Sequence, residues 1–319
     1  MLELLKGAKL LVETCAKIQP EDKVLIVVDD EAFPMRMGKV VLDVANSFGA
    51  ETALAVMKPR EGAANEPPHV IAIAMRSVNA VIYITNRHGI AHTDARKEAT
   101  AAGVRLYQMI AVPEDYFKQE ITAADLEKIK TRTEALAQKL TKTRHAWVTT
   151  PAGTAITMSL EGRKGIALHP LAEAMGNFPD YAEAAIAPVE GTAEGTMVID
   201  VGILGWEHLF LKSVRCMVKS GRVVEIEGSE DAERLRQIVA TDKNASNIAE
   251  LGIGTSHTIP KVYRATRMDG GIAGTIHIAI GRNNDIGGQT WSQIHHDGLM
   301  HCPTVELDGE VVVKDGILV

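Results

Sequence analysis

The sequence is poor in aromatic residues and cysteine, and it lacks a long apolar run. Aromatic side chains make up 4% of the 319 residues, so a core has to be built from Ala, Val, Ile, Leu and Met. No apolar stretch approaches the length of a membrane-spanning helix, so we expect no membrane association. Cys15, Cys216 and Cys302 are too widely spaced for a disulfide framework, which fits a reducing compartment.

Basic residues are also in the minority, with 34 Lys and Arg against 41 Asp and Glu. The resulting net charge of −7 argues against a nucleic-acid partner. The first residues have helical spacing and lack the basic region and cleavage site of a signal peptide. We therefore expect a cytoplasmic protein without a nucleic-acid partner.

Residues 1–143 alternate between apolar strands and helices, which predicts a parallel α/β sheet covered on both faces. The predicted strands are Lys23–Asp30, Glu51–Met57, Ala80–Asn86 and Val104–Met109. No G-x-G-x-x-G motif follows the first strand, so a dinucleotide site is unsupported. A charged helix over 122–143 is expected to bridge to a second domain.

Residues 144–319 have a different pattern, with short alternating strands and turns at Ser220-Gly221 and Asp308-Gly309. A single helix is predicted over 229–241. This pattern is typical of an α+β domain with antiparallel pairing. The predicted fold is thus a two-domain α/β plus α+β protein with a boundary between residues 143 and 144.

The segment 247–303 contains five of the eleven histidines. His277 lies in the alternating run GTIHIAI, whose isoleucines should face the core while His277 faces the other side. His295 and Asp297 are two residues apart, so on extended chain they share a side. Imidazole with carboxylate suits Zn, Mn or Fe better than Ca or Mg. Glu250 precedes a Gly-Ile-Gly run, where the backbone can turn tightly or approach a ligand closely. These residues predict a metal site.

Each histidine alone is weak evidence, because a histidine on a strand is more often a hydrogen-bonded residue than a ligand. His296 should face away from His295, and His301 precedes a Cys-Pro turn. We expect neither to be a ligand.

Four ordered motifs resemble those of the M29 metallopeptidases, the aminopeptidase T type. They are NFPDYAEAAIAPVEGTAEGTMVIDVG at 177–202, NIAELGIGT at 247–255, GTIHIAIG at 274–281 and IHHDGL at 294–299. The resemblance implies a homodimer with a hydrolytic site in the second domain that holds one or two ions of Zn, Mn or Co. The implied metal ligands are Glu183, Glu250, His277, His295 and Asp297.

The resemblance also implies a chemistry, in which a metal-activated water attacks an amide or peptide bond of a small-molecule or short-peptide substrate. Glu183 or Glu250 would take the proton. The loop ITNRHGIAHTDAR at 84–96 is implied to reach toward the site, with His92 as a catalytic residue and His88 second. The alternative for this loop is a surface segment that caps the following helix.

One position departs from the peptidase pattern, since Asn284 stands where those enzymes carry a tyrosine. An amide can donate to a developing oxyanion but does not titrate, so this change bears on peptide hydrolysis more than on metal binding.

A second group, the iron-dependent 2,5-dihydroxypyridine dioxygenases, is similar across the same regions. These enzymes share the H-x-D pair but carry histidine in place of Glu250 and lack a counterpart of His277. A mononuclear Fe(II) site requires two histidines and one carboxylate. Here His277 or His257 could complete that set with His295 and Asp297, leaving Glu183 and Glu250 surplus.

The sequence thus leaves three hypotheses. The first is a metal-dependent hydrolase, which the presence of both glutamates favours. The second is a ring-cleaving Fe(II) dioxygenase, and the third is a binding protein without activity.

Overall fold

The computed structural model describes residues 2–62, 65–172 and 175–319. The helices are α1 (Leu2–Lys9), α2 (Ala32–Ser47), α3 (His69–Met75), α4 (Asp94–Ala101), α5 (Ala123–Lys142) and α6 (Glu230–Val239). A π-helical segment (Leu10–Cys15) follows α1, and 3-10 segments cover Glu114–Lys118 and Arg267–Gly271. In this part of the chain, no helix is both long and apolar enough to cross a membrane.

The strands are given in chain order. They are β1 (Lys23–Asp29), β2 (Glu51–Met57), β3 (Ala80–Thr85), β4 (Arg105–Ile110), β5 (His145–Thr149), β6 (Ala155–Ser159), β7 (Ile166–Leu168), β8 (Met175–Asn177), β9 (Glu183–Ile186), β10 (Glu194–Ile199), β11 (Gly202–Ile203), β12 (Val214–Lys219), β13 (Arg222–Glu227), β14 (Ile248–Gly254), β15 (Ile276–Gly281), β16 (His295–Met300), β17 (Thr304–Leu307), β18 (Glu310–Lys314) and β19 (Ile317–Leu318).

The chain folds into two compact units. The first unit comprises the chain up to Lys130 together with the segment Leu168–Tyr181, and the second comprises Thr131–Ala167 and Ala182–Val319. The predicted boundary at 143/144 stays a prediction about domains. The two compact units have other limits: their first boundary lies within α5, between Lys130 and Thr131, and the later segment Leu168–Tyr181 belongs to the first unit.

The first unit contains a parallel sheet in the order β2-β1-β3-β4-β8. Its apolar strands are buried because helices cover the sheet, as the continuous apolar runs predict. The parallel α/β prediction is confirmed. The strand β8 was not predicted, because its three residues, Met-Gly-Asn, carry no apolar pattern.

The second unit contains two antiparallel sheets. One has the order β13-β12-β10-β6-β5-β17-β18-β19, and the other has the order β11-β16-β15-β14-β9-β7. Apolar side chains of both sheets form one buried core, which includes Val148 and Ile156 from the first sheet and Leu251 and Ile278 from the second. The strand-rich, antiparallel character predicted for the second half is confirmed.

Candidate metal centre

The candidate site lies on one face of the sheet β11-β16-β15-β14-β9-β7, where four neighbouring strands place their polar residues. In antiparallel pairs, directly opposed residues point to the same face. Gly254 opposes Glu183, Gly252 opposes His277, and Ala279 lies between Glu250 and Asp297 in the register of three strands.

The remaining member, His295, follows from strand alternation. It lies two residues before Asp297 on β16, so it faces the same side. The opposite face of β15 carries Ile276, Ile278 and Ile280, which pack into the core. The alternation predicted from GTIHIAI is therefore observed, and rigid paired strands hold the five predicted ligands on one face.

The five side chains form two clusters that share Glu250. One cluster consists of Glu183, Glu250 and His277, and the other of Glu250, His295 and Asp297. Each residue can offer one ligand atom, and within each cluster the three ligand atoms lie within 4.8 Å of one another. His277 Nε2 lies 3.2 Å from a Glu183 oxygen. His295 Nε2 lies 3.1 Å from a Glu250 oxygen and 3.0 Å from an Asp297 oxygen.

Small residues between the ligands leave room for the rings. A Cβ built on Gly252 would lie 2.1 Å from His277 Nε2, far inside contact distance. Any side chain larger than hydrogen at this position would displace the imidazole. Glycine is therefore required at position 252 because the His277 ring approaches the backbone there. Another small residue, Ala279, lies opposite both Glu250 and Asp297.

The ring of His295 is oriented by the backbone. Its Nδ1 lies 2.8 Å from the carbonyl oxygen of Arg282, which can only accept, so Nδ1 carries a proton. The other nitrogen, Nε2, then faces Glu250 and Asp297. This arrangement is typical of histidine ligands, whose second nitrogen is held by a backbone carbonyl or a carboxylate.

The electrostatics of the His295–Asp297 pair are strongly coupled. Burial opposes the charge on His295, but the charge of Asp297 and the hydrogen bonds of Asp297 and Glu250 outweigh it and raise the pKa of His295 well above its usual value. Burial likewise opposes the charge on Asp297, yet the nearby His295, His277 and Arg267 hold the pKa of Asp297 far below its usual range. The Arg267 contribution was not foreseen from the sequence.

The donor set fits a divalent cation. Glu183, Glu250 and Asp297 are 3%, 5% and 7% exposed, so three carboxylates crowd together away from water. Buried carboxylates repel one another unless positive charge lies between them. When His295 is neutral, its Nε2 lone pair is directed at the same space as two carboxylate oxygens. A cation held there would satisfy all these groups.

Other histidines singled out from the sequence lie elsewhere. His257 is exposed after β14, and His301 is exposed with its backbone N–H donating to Asp200. His296 faces away from the ligands, as predicted, and its ring lies edge-on to Trp206 at 6.2 Å between centroids. None of these three belongs to a cluster among the residues that could be searched.

The loop residues His88 and His92 belong to the first unit. His88 is fully buried, with ring nitrogens 2.7 Å from the Tyr83 hydroxyl and 2.7 Å from the Asn65 carbonyl. Burial lowers the pKa of His88, so a structural role accounts for it. His92 is also buried, just before Thr93 caps α4, and its catalytic role stays a prediction.

Asn284 occupies an exposed position in the loop 282–294, and its N–H donates to the carbonyl oxygen of Thr290. Its effect on peptide hydrolysis stays a prediction.

Comparisons with known proteins agree with this fold. The 2,5-dihydroxypyridine 5,6-dioxygenase of Pseudomonas putida KT2440 is 23% identical over 260 residues, which cover 77% of this chain and 73% of that protein. The solved structure of 2,5-dihydroxypyridine dioxygenase from Pseudomonas putida KT2440 matches with a TM-score of 0.82 and 17% identity, covering 99% of this chain and 96% of the other.

AmpT from Thermus thermophilus matches with a TM-score of 0.74 and 18% identity, covering 100% of this chain and 99% of the other. At such identities the two solved structures show a shared fold alone. The predicted kinship with the M29 peptidases is supported only in part, through the fold shared with AmpT. The family model described as "NicX: 2,5-dihydroxypyridine 5,6-dioxygenase" matches residues 10–319. This chain therefore belongs to the NicX family of enzymes.

Proposed function

We propose that this protein is a metal-dependent dioxygenase that opens the ring of a hydroxylated nitrogen heteroaromatic. The family match over residues 10–319 supports this reaction better than hydrolysis, which the sequence motifs favoured. The relative named 2,5-dihydroxypyridine 5,6-dioxygenase makes such a compound the first substrate to test.

The observation that carries the proposal is the family match over residues 10–319. The site agrees with it to this extent: His277, His295 and Asp297 lie on one face of two hydrogen-bonded strands, with His277 in one ligand cluster and His295 and Asp297 in the other. Two histidines and one carboxylate on a rigid support are the set that non-haem Fe(II) oxygenases use. Iron bound there would supply the redox chemistry with O2. The protein's part is to fix the ligands, and β15 and β16 do so through their continuous pairing.

The two glutamates have a role in this scheme. Glu183 and Glu250 lie beside the histidines and are nearly fully buried. In this scheme either carboxylate would accept a proton from a hydroxyl of the bound substrate. Removing that proton makes the ring more electron-rich and easier to oxidise. The catalytic assignment of Glu183 and Glu250 made from the sequence is kept in this form.

A second candidate is a metal-dependent hydrolase, and one specific observation favours it. The two ligand clusters share Glu250, and each contains one histidine and two carboxylates. A bridging carboxylate between two ligand groups is an arrangement suited to two ions that activate one water. Glu183 or Glu250 would then accept the proton of that water.

Oxygen consumption separates the two candidates. The protein would be loaded anaerobically with Fe(II), or separately with Zn(II), Mn(II) or Co(II), and supplied with 2,5-dihydroxypyridine or with short peptides. We expect one O2 consumed for each ring opened by the iron form, with both atoms of ¹⁸O2 found in the product. Peptide cleavage by the zinc, manganese or cobalt form without oxygen uptake would contradict the dioxygenase and favour the hydrolase.

A further inference from the structure

Arg282 is a buried arginine whose side chain has no partner in the described parts of the chain. It is 7% exposed, and its Nε is buried with no hydrogen-bond partner there. No ion pair joins its guanidinium to any carboxylate of those same residues. Arginine stays protonated in proteins, so an isolated buried guanidinium carries a large desolvation cost.

A second arginine near the same loop shows the usual solution. Arg163 is paired with Glu190, and its Nη1 donates to the carbonyl oxygen of Gly287 at 2.5 Å. Its charge is thus compensated within the protein. Arg282 is buried to a similar degree, but none of the carboxylates among the described residues is paired with it. Buried groups without partners call for an explanation, and a bound anion is the simplest one for a guanidinium.

The position of Arg282 links it to the candidate metal centre. Its carbonyl oxygen accepts the hydrogen bond from His295 Nδ1, and its N–H donates to the carbonyl oxygen of Ile294. The guanidinium therefore lies within one side-chain length of the backbone that orients His295. An anion bound to Arg282 would therefore lie beside the loop 282–294, which leads into β16 with its ligands His295 and Asp297.

The loop that begins at Arg282 is held in place. Glu190 accepts hydrogen bonds from Asn283 Nδ2 at 3.0 Å and from the N–H of Gln289 at 2.7 Å. Asn283 in turn accepts from the N–H of Thr290 at 2.8 Å. Because its neighbour is clamped, the Arg282 backbone is fixed before any ligand arrives, which lowers the cost of binding.

We propose that Arg282 is an anion-binding residue that selects substrates carrying a carboxylate. This inference rests on the proposed function, in that the ligand is the substrate of the same centre. Since 2,5-dihydroxypyridine has no carboxylate, the inference narrows the proposed substrate class to hydroxylated heteroaromatics that also carry a carboxyl group. A planar guanidinium offers two parallel N–H donors that match a carboxylate. The carboxylate could come from a ring acid or from the C-terminus of a short peptide, and the two sources correspond to the two candidate reactions.

The test compares matched anionic and neutral probes. Benzoate and benzamide have the same size and differ in charge, as do dialanine and dialanine amide. Each probe would be titrated calorimetrically into the Zn(II)-loaded full-length protein and into the metal-free protein. The variants are Arg282→Gln, which removes the charge, and Arg282→Lys, which keeps the charge without the planar fork.

We expect the wild type to prefer the anionic member of at least one pair. Arg282→Gln should weaken that anion on the order of 10- to 100-fold and leave the neutral probe unchanged, and Arg282→Lys should fall between. A preference confined to benzoate indicates an aromatic acid as substrate, whereas one confined to dialanine indicates a peptide. The control is Arg215→Gln, an exposed arginine on β12 that should change neither.

Equal anion binding by wild type and Arg282→Gln would overturn the inference, as would an equal loss for anionic and neutral probes. The failure of the proposed function is distinguishable. A protein that binds no metal but still loses benzoate selectivity in Arg282→Gln contradicts the metal centre and supports the anion site. A protein that loads metal and consumes oxygen, yet has no Arg282-dependent selectivity, supports the metal centre and contradicts the anion site.

Discussion

The two ligand clusters share Glu250 but fix their histidines by different physical means. A hydrogen bond from Nδ1 to the Arg282 carbonyl oxygen orients His295. The Nδ1 of His277 is buried and has no hydrogen-bond partner among the described residues, and the ring is instead accommodated by the space above Gly252. The orientation of the His295 ring therefore depends on a hydrogen bond, whereas the position of the His277 ring depends on the absence of a side chain at residue 252.

Glu250→Gln should have the largest effect, because it alters both clusters at once. We expect metal affinity to fall by more than the roughly 10- to 100-fold that loss of an outer-shell partner costs. In the metal-free protein the same change removes one of three crowded buried carboxylates and should raise the melting temperature. Isothermal titration with Mn(II) or Zn(II), together with thermal unfolding, measures both.

The matched control is Glu225→Gln, an exposed change of the same charge on β13. It should leave metal affinity and thermal stability unchanged. If Glu250→Gln bound metal as tightly as this control, the shared carboxylate would have no role as a ligand.

Gly252→Ala should break the Glu183–Glu250–His277 cluster while sparing the other. The added methyl would lie 2.1 Å from His277 Nε2, so the ring must move and the protein should lose stability by about 1–3 kcal/mol. If two ions bind, metal analysis of Gly252→Ala should show that the ion held by His295 and Asp297 is retained. If one ion spans both clusters, the metal affinity of the whole site should change.

A double variant tests the steric cause. Replacing His277 by Ala in the Gly252→Ala background removes the clashing ring, so the second change should recover part of the lost stability without restoring metal binding. Strict additivity of the two losses in stability would argue against a direct clash between residue 252 and the His277 ring.

Glu190→Gln should have the smallest effect on metal affinity, because Glu190 touches no ligand and only holds the loop that supports His295. Glu190 clamps the loop whose first carbonyl oxygen orients His295, so a few-fold weaker metal affinity is expected, together with a small loss of stability. Burial tends to raise the pKa of Glu190, but hydrogen bonds from Gln289 and Asn283 and the charge of Arg163 outweigh it and lower the pKa from 4.5.

A group with a lowered folded pKa stabilises the protein above its unfolded pKa and loses that contribution as pH falls. The stability difference between wild type and Glu190→Gln should therefore be full near neutral pH and shrink as the pH drops below 4.5. Urea unfolding at a series of pH values measures it. A difference that grows in acid would contradict the sign of this argument.

Much of the site could be predicted from sequence, because alternation on a strand determines which residues share a face. His277 against its flanking isoleucines and His295 with Asp297 are such cases, and the structure brings them together. Glu183 was predicted as a ligand only from the family resemblance, because it is far in sequence from Gly254, the residue it opposes across β9 and β14.

Features that depend on tertiary context could not be predicted. The sequence does not reveal that β8 joins the parallel sheet, that Gly252 faces a ring, or that Arg282 Nε is buried with no hydrogen-bond partner among the residues the structure describes. The choice of reaction also depended on the family comparison, because the same ligand types serve hydrolysis and oxygenation.

The most direct test of the central claim is a crystal structure of the protein soaked with Mn(II), with the ions located by anomalous scattering. The account predicts an ion on the polar face of β14, β15 and β16, bound by Glu250 and by His277, His295 or both. Ions found only elsewhere, with Glu250 and both histidines making no contact to metal, would contradict it.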